Sequence, residues 1–312
     1  MHNFVIHINP FINPHLKTKA IKNSDKIHPN NKHKSGYNLD VLCEAFPELT
    51  PFVFINKYDT KTIDFANPKA VKALNTALLF KHYNIAFWDF PDTNLCPPIP
   101  GRVDYVHHVF DVLKASKIKG DIQVLDIGTG ASCIYPLLGY AVYNWSFVAT
   151  DVDKMALKYA QNIIAKNKLD NAVKLRYQSD ASHIFQGVLN DSDRFSISIC
   201  NPPFYKSEAE ALEANARKLK GLKMEALKPV RNFAGTHNEL WYKGGEKAFL
   251  HTYLYESSLF KDQCEWFTTL VSKKDLVKGM YASLKKLGAT NIKTINMGQG
   301  NKISRIVAWT FN

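Results

Sequence analysis

Gln123-Val124-Leu125-Asp126-Ile127-Gly128-Thr129-Gly130 is the stretch that decides the fold of this 312-residue chain. A short apolar run ending in two closely spaced glycines reads as a buried strand entering a tight turn. Gly128 and Gly130 allow positive φ and close backbone approach, the properties of a loop that cradles a nucleotide. The apolar stretch from Ala131 to Leu138 then begins a helix, which Pro136 should keep short or kinked. A dinucleotide fingerprint wants a third glycine at position 133, where this chain has Cys133, so a diphosphate ligand is disfavoured. Asp126, just before the turn, suits a ligand with a positive centre.

Working outward, Ser146-Phe147-Val148-Ala149-Thr150 reads as the next strand and ends in Asp151. Asp151 stands a little over 20 residues beyond the glycines, about where doubly wound folds hold ribose hydroxyls with an acidic side chain. Asp153 is then the N-cap of a helix over Lys154–Lys166, although either aspartate fits a cap. A third strand spans Ala172–Tyr177, and Ser179-Asp180 at its end falls where such folds contact an adenine. Phe195-Ser196-Ile197-Ser198-Ile199-Cys200 alternates as a further strand and runs into Asn201-Pro202-Pro203-Phe204. The two prolines fix φ and give up two N–H donors, leaving carbonyl acceptors at the strand's carboxyl end. Asn201 adds an amide oxygen and Phe204 a flat face. Together they suit an exocyclic amine on a flat ring, such as adenine N6. One hydrogen would go to Asn201 and one to the Pro202 carbonyl, with the base stacked on Phe204. The plain alternative is a strand ending in a tight turn.

The block Leu125 to Gly139 (Leu-Asp-Ile-Gly-Thr-Gly-Ala-Ser-Cys-Ile-Tyr-Pro-Leu-Leu-Gly), with Cys200-Asn201-Pro202-Pro203-Phe204, resembles the 23S ribosomal RNA adenine-N6 methyltransferases. It also resembles their eukaryotic small-nuclear-RNA and messenger-RNA relatives. The similarity runs from His28-Pro29-Asn30-Asn31 through Arg231-Asn232-Phe233 to Glu239-Leu240-Trp241 and Gly244-Gly245-Glu246. It implies an S-adenosylmethionine-dependent enzyme of the class I, Rossmann-like α/β fold. It also implies cofactor contacts at Arg102, Gly128, Asp151 and Asn201, with the Asn-Pro-Pro-Phe tetrad holding the target adenine. Arg102 by its own pattern reads as a surface arginine; its reach toward the cofactor carboxylate rests on the resemblance. The positive centre sought by Asp126 would be the cofactor's amino group.

Forty Lys and Arg against 28 Asp and Glu leave a net charge of +12, which favours an anionic partner and makes nucleic acid the natural one. Five cysteines without close spacing argue for a reducing compartment and against a zinc site. No apolar run reaches the length of a membrane span, and the amino terminus does not read as a secretion signal. A cytoplasmic monomer acting on 23S RNA or a large-subunit assembly intermediate, without a metal, is the expectation.

Residues 1–38 read as a flexible basic arm, with Lys17, Lys19, Lys22, Lys26, Lys32 and Lys34 as RNA contacts or as a solvated tail, and with His28 and His33 on the surface. Residues 39–116 read as a helical subdomain. Asn67-Pro68 starts one helix, and Val103, Val106, Phe110 and Leu113 line one face of the next. Phe87-Trp88-Asp89-Phe90-Pro91 reads as a core plug, the alternative being a stacking platform. Residues 117–312 form the catalytic domain, with a charged insertion at 205–243 that carries Lys218, Lys220, Lys223, Lys228 and Arg231. The insertion is expected as a lid over the flipped base, the alternative being an exposed helix over 209–220 followed by linker. Helices near 247–259 and 274–286, and strands near 265–272, 292–296 and 303–311, complete a seven-stranded mixed sheet with helices on both faces. A protein-glutamine methyltransferase, a DNA adenine methyltransferase and a non-catalytic RNA-binding protein are the rival readings.

Overall fold

The strand over Gln123–Ile127 is central in a seven-stranded sheet because its side chains are buried on both faces, as a parallel strand requires. The computed structural model describes residues 27–207, 209–210, 240–299 and 302–312. In chain order the elements are α1 (Leu39–Ala45), a 3-10 turn (Pro47–Phe52), β1 (Val53–Ile55), β2 (Lys61–Ile63), α2 (Pro68–Tyr83) and α3 (Ile99–Ala115). There follow β3 (Gln123–Ile127), α4 (Ile134–Tyr143), β4 (Ser146–Asp151), α5 (Lys154–Lys166), β5 (Val173–Tyr177) and β6 (Phe195–Cys200). The chain closes with α6 (Gly245–Leu259), β7 (Cys264–Val271), α7 (Lys274–Lys286), β8 (Asn291–Gln299) and β9 (Lys302–Thr310).

The sheet order is β5-β4-β3-β6-β7-β9-β8. The strands β5, β4, β3, β6 and β7 run parallel, and β9 enters antiparallel between β7 and β8. Chain order reverses between β3 and β6, so their carboxyl ends open a crevice where a ligand can sit. One apolar core lies under α2, α3, α4 and α5, and a second under α6 and α7. At Gly139 in α4 an added Cβ would run into the buried Phe147 ring of β4, and that close approach seats the helix. Pro136 is the third residue of α4, in the first turn, where the backbone N–H would have no helical partner, and the helix runs on to Tyr143. Cys133, just before α4, takes φ 49°, the left-handed conformation that favours glycine.

Two expectations are corrected. The segment from Ile27 to Gly36 is not part of a loose arm. His28 and His33 are buried, because α3 and α2 supply partners from far along the chain. The Asp104 carboxylate accepts from the His28 backbone N–H and from Asn31 Nδ2, both at 2.9 Å, and Asn31 also bonds the Pro100 carbonyl. The His28 Nδ1 accepts from the Asn30 backbone N–H, so the ring proton sits on Nε2, which donates to Asp111 at 2.9 Å. That tautomer leaves His28 Nε2 a donor and not a metal ligand, although His28, His108 and Asp111 lie within ligand range of one another. Burial, with His82 and Lys32 close by, lowers the His33 pKa to about 4, and the ring pairs with the Tyr83 hydroxyl.

The second correction concerns residues 39–116. They have no core of their own: Leu42, Leu74 and Leu78 share one continuous cluster with Leu137, Leu138 and Ile197. α2 packs on α1, the 3-10 turn, α3 and α4, and α3 packs on α4 and on β6 and β8 of the sheet. Trp88 and Phe90 are buried in that cluster, and the Trp88 Nε1–H donates to the Ser132 carbonyl at 2.8 Å, which ties the plug to the glycine turn. Asn67 and Asp153 cap α2 and α5 through their side chains.

Candidate active site

A cavity of about 470 Å³ opens at the carboxyl ends of β3, β4 and β6. Its floor is the turn after β3. Gly128 and Gly130 hold φ of 73° and 64°, and a Cβ on Gly128 would project into open space. The turn is fastened to β4: the Gly128 and Thr129 N–H groups both donate to the Thr150 carbonyl at 3.0 Å, and the Gly130 N–H donates to Asp151 Oδ2 at 2.8 Å. Asp151 Oδ1 accepts from the Asp153 N–H at 2.9 Å, so this carboxylate is oriented before any ligand arrives.

Arg102, Gly128, Gly130, Asp151, Asn201 and Pro203 all line this one cavity. The Arg102 guanidinium reaches it from α3 and is steadied by the Tyr135 hydroxyl at 3.0 Å and by the Tyr135 ring. Burial raises the Tyr135 hydroxyl to about 12, against the pull of Arg102, which keeps it a neutral partner. Asn201 follows β6, whose end is braced by a buried chain of hydroxyls. Ser198 pairs with Tyr253 at 2.7 Å, Tyr105 with Thr268 at 2.7 Å, and Thr268 donates to the Ser198 carbonyl at 2.6 Å.

Asp126 does not line the cavity. It lies fully buried in β3, directly before the lining residues Ile127 and Gly128, with no hydrogen-bond partner for either oxygen among the described residues. Burial pushes its carboxyl up to about 7; the Thr129 hydroxyl, outside normal hydrogen-bond geometry, opposes this, and Asp151 adds to it.

Ser179 and Asp180 are also off the wall, where Gln178, Ala181, Ser182, His183 and Ile184 stand instead. The reason is local: the exposed Asp180 carboxylate turns back to accept from the Ser182 N–H at 2.8 Å and the Ser182 hydroxyl at 2.6 Å, and these bonds lower its pKa. Of the tetrad, Pro202 is buried and neither it nor Phe204 reaches the cavity. Phe204 and Tyr205 are drawn aside because both backbone N–H groups donate to the Leu240 carbonyl, at 3.1 and 3.0 Å. Trp241, Tyr242 and Phe249 provide the aromatic surface at this end.

Lys32 and Lys34 are described: their ammonium groups bond the carbonyls of His82 and Pro29. Lys17, Lys19, Lys22, Lys26, Lys218, Lys220, Lys223, Lys228 and Arg231 lie outside the described residues, as does most of the expected lid. Its two roots are joined by a parallel bridge between Tyr205 and Trp241.

Sequence reasoning missed Glu256. This buried carboxylate on α6 accepts from the Ile184, Phe185 and Gln186 N–H groups at 3.0, 2.7 and 3.1 Å and pairs with His183 Nδ1 at 2.8 Å. It fixes the loop that walls one end of the cavity. In the sequence it is one acidic residue of an amphipathic helix, with nothing to mark it.

Residues 21–312 match the model of a family described as RNA methyltransferase. The chain belongs to that family. It is 46% identical over 303 residues to ribosomal RNA large subunit methyltransferase F of Flavobacterium psychrophilum, covering 95% of this chain and 96% of that one. The protein of the same name from Aeromonas salmonicida is 47% identical, at 95% and 94% coverage. Among solved structures, the hMettl16 catalytic domain in complex with MAT2A 3'UTR hairpin 6 superposes with a TM-score of 0.77 at 27% identity, over 92% of this chain and 98% of that one. The N-terminal domain of human METTL16 in complex with SAH superposes at 0.74 and 26% identity, over 92% and 99%. The sheet order of this methyltransferase is therefore that of a class I enzyme, and its cavity sits at the sheet's switch point. Among the described residues no helix is long and apolar enough to cross a membrane.

Proposed function

We propose that this RNA methyltransferase transfers a methyl group from S-adenosylmethionine to the exocyclic N6 of one adenine in 23S ribosomal RNA. The observation that carries the reading is Asn201: it lines the cavity together with Gly128, Gly130 and Asp151, and its buried Oδ1 has no partner among the described residues. The relatives named for the ribosomal large subunit, at 46–47% identity, support the substrate. The METTL16 domain solved with SAH supports the cofactor.

The residues present fit S-adenosylmethionine. Gly128 leaves space where a side chain would block a nucleoside, Asp151 offers a carboxylate held for ribose hydroxyls, and Gln178, Ser182 and Ile184 wall an adenine end. Arg102 would hold the cofactor carboxylate. When bound, the cofactor supplies an electrophilic methyl on a sulfonium.

The work of the chain is then orientation. An adenine amine is a weak nucleophile because its lone pair is delocalised into the ring. Asn201 Oδ1, accepting one N6 hydrogen, would favour the pyramidal nitrogen and aim its lone pair. A strong general base is not required, since the proton can leave after transfer. Most of the rate would come from positioning and electrostatics. Lys32, Lys34 and the basic positions outside the described residues would track phosphate, in line with the net charge of +12. The enzyme acts in the cytoplasm as a monomer, on free RNA or an assembling large subunit.

Asn201→Ala tests the site. Methylation is expected to fall by at least 100-fold while cofactor affinity, measured by calorimetry, changes by less than about 5-fold. Equal loss of both would make Asn201 chiefly a cofactor residue. Label transferred to protein side chains and not to RNA would favour the glutamine-methyltransferase reading.

A further inference from the structure

Among the described residues, three that line the cavity each carry a buried polar atom without a partner, Thr129 Oγ1, Asn201 Oδ1 and Trp241 Nε1; the hydroxyl can serve either way, whereas Asn201 Oδ1 is only an acceptor and Trp241 Nε1–H only a donor. An indole N–H buried without a partner is costly, so its retention points to a ligand that completes it. Trp241 is firmly placed. Its backbone forms the bridge with Tyr205, Tyr205 N–H donates to the neighbouring Leu240 carbonyl, and Tyr242 N–H donates back to the Tyr205 carbonyl at 3.0 Å. The returning root of the 205–243 insertion is thereby stitched to the chain just after Asn201. The cofactor groups argued above come from other elements: Arg102 on α3, the glycine turn, Asp151, and the loop after β5.

We propose that the Trp241 indole N–H donates to the ring nitrogen beside the target amine, making Trp241 a base-recognition residue. This rests on the reading of Asn201 as the acceptor for adenine N6. On both edges of adenine that carry the amine, the neighbouring position is an acceptor: N1 on one, N7 on the other. A donor beside an acceptor therefore matches adenine on either edge. Guanine places an acceptor oxygen where adenine has its amine, facing the lone pairs of Asn201 Oδ1, and is rejected. Cytosine offers the same donor and acceptor order as adenine, but on a single ring, so reach and stacking on Tyr242 and Phe249 would separate the two.

The test uses Trp241→Phe, which keeps a flat ring and removes the N–H, together with RNA carrying adenosine, 1-deazaadenosine or 7-deazaadenosine at the target. The variant is expected to lose roughly 5- to 150-fold in kcat/KM on adenosine, with cofactor affinity within about 2-fold of wild type. One of the two deaza substrates should cost the wild-type enzyme a similar factor and cost Trp241→Phe nothing further, which also identifies the edge that is read. The wild-type response to the deaza substrates does not depend on how well the variant folds. The inference is overturned if Trp241→Phe methylates adenosine at the wild-type rate. It is also overturned if the variant loses cofactor affinity in proportion, or if the deaza substrates affect both enzymes alike. A wild-type enzyme that methylates no adenosine in RNA would remove the proposed function as well. Normal wild-type activity with an indifferent variant removes this inference alone.

Discussion

Replacing Asp126 by asparagine removes a strongly shifted carboxyl beside the site without touching the cavity wall. Its carboxyl is fully buried with neither oxygen partnered among the described residues, and burial raises its pKa from 3.8 to about 7. The sign follows directly. Between 3.8 and about 7 the unfolded chain has released this proton and the folded chain still holds it, so stability falls as pH rises through that window and is level above it. At about 1.4 kcal/mol per pH step, the part of the window above pH 5 amounts to roughly 3 kcal/mol. For a chain of this length about 2 °C accompanies each kcal/mol, so wild type should lose roughly 5 °C more than Asp126→Asn between pH 5 and pH 8. Thermal unfolding followed by circular dichroism across that range measures it, because the other groups titrate in both proteins and cancel. The same carboxyl, drawn into ionisation by a cationic cofactor, should make wild-type cofactor affinity rise between pH 6 and pH 8 and leave that of the variant nearly flat. Parallel unfolding curves would refute the reasoning, since they would mean that the buried carboxyl titrates where an exposed one does.

Glu256→Ala strands three backbone N–H groups in the loop from Ile184 to Gln186. Cofactor affinity by calorimetry should fall roughly 10- to 100-fold, with kcat at saturating cofactor within a few-fold and Glu256→Gln intermediate. A loss confined to kcat would contradict a role in shaping the cavity. Gly139→Ala sets helix propensity, a gain of about 1 kcal/mol, against a collision with the buried Phe147 ring, which costs about 1–3 kcal/mol. The collision should win and lower the melting temperature by a few degrees; an unchanged or higher value would show that the ring can yield.

Local pattern was enough for the sheet, because each parallel strand is a short apolar run closed by a turn signal. β3 and β6 begin and end where their apolar runs do. β8 extends to Gln299, beyond the expected Asn296, because hairpin pairing with β9 carries it through Gly298, a residue that weakens any strand pattern. The glycine turn, Asp151 and Asn201 were legible as well, since each follows a strand end and the fold brings strand ends together. What was not legible depends on partners far away in the chain. His28 is buried only because Asp104 and Asp111 on α3 receive it. Glu256 matters only because the loop after β5 presents its N–H groups. Ser179 and Asp180 were placed on the cavity wall by their distance from the strand, but an Asp bonding the residue two positions on turns the loop there.

The central claim is the reaction and its substrate, and the most direct measurement is methyl transfer from labelled S-adenosylmethionine to unmodified 23S ribosomal RNA, free and in partly assembled large subunits, read out by nucleoside mass spectrometry. N6-methyladenosine at a single position, lost with Asn201→Ala, is the result predicted here. Label on another nucleoside, on DNA, or on protein while the RNA stays unmodified would contradict it.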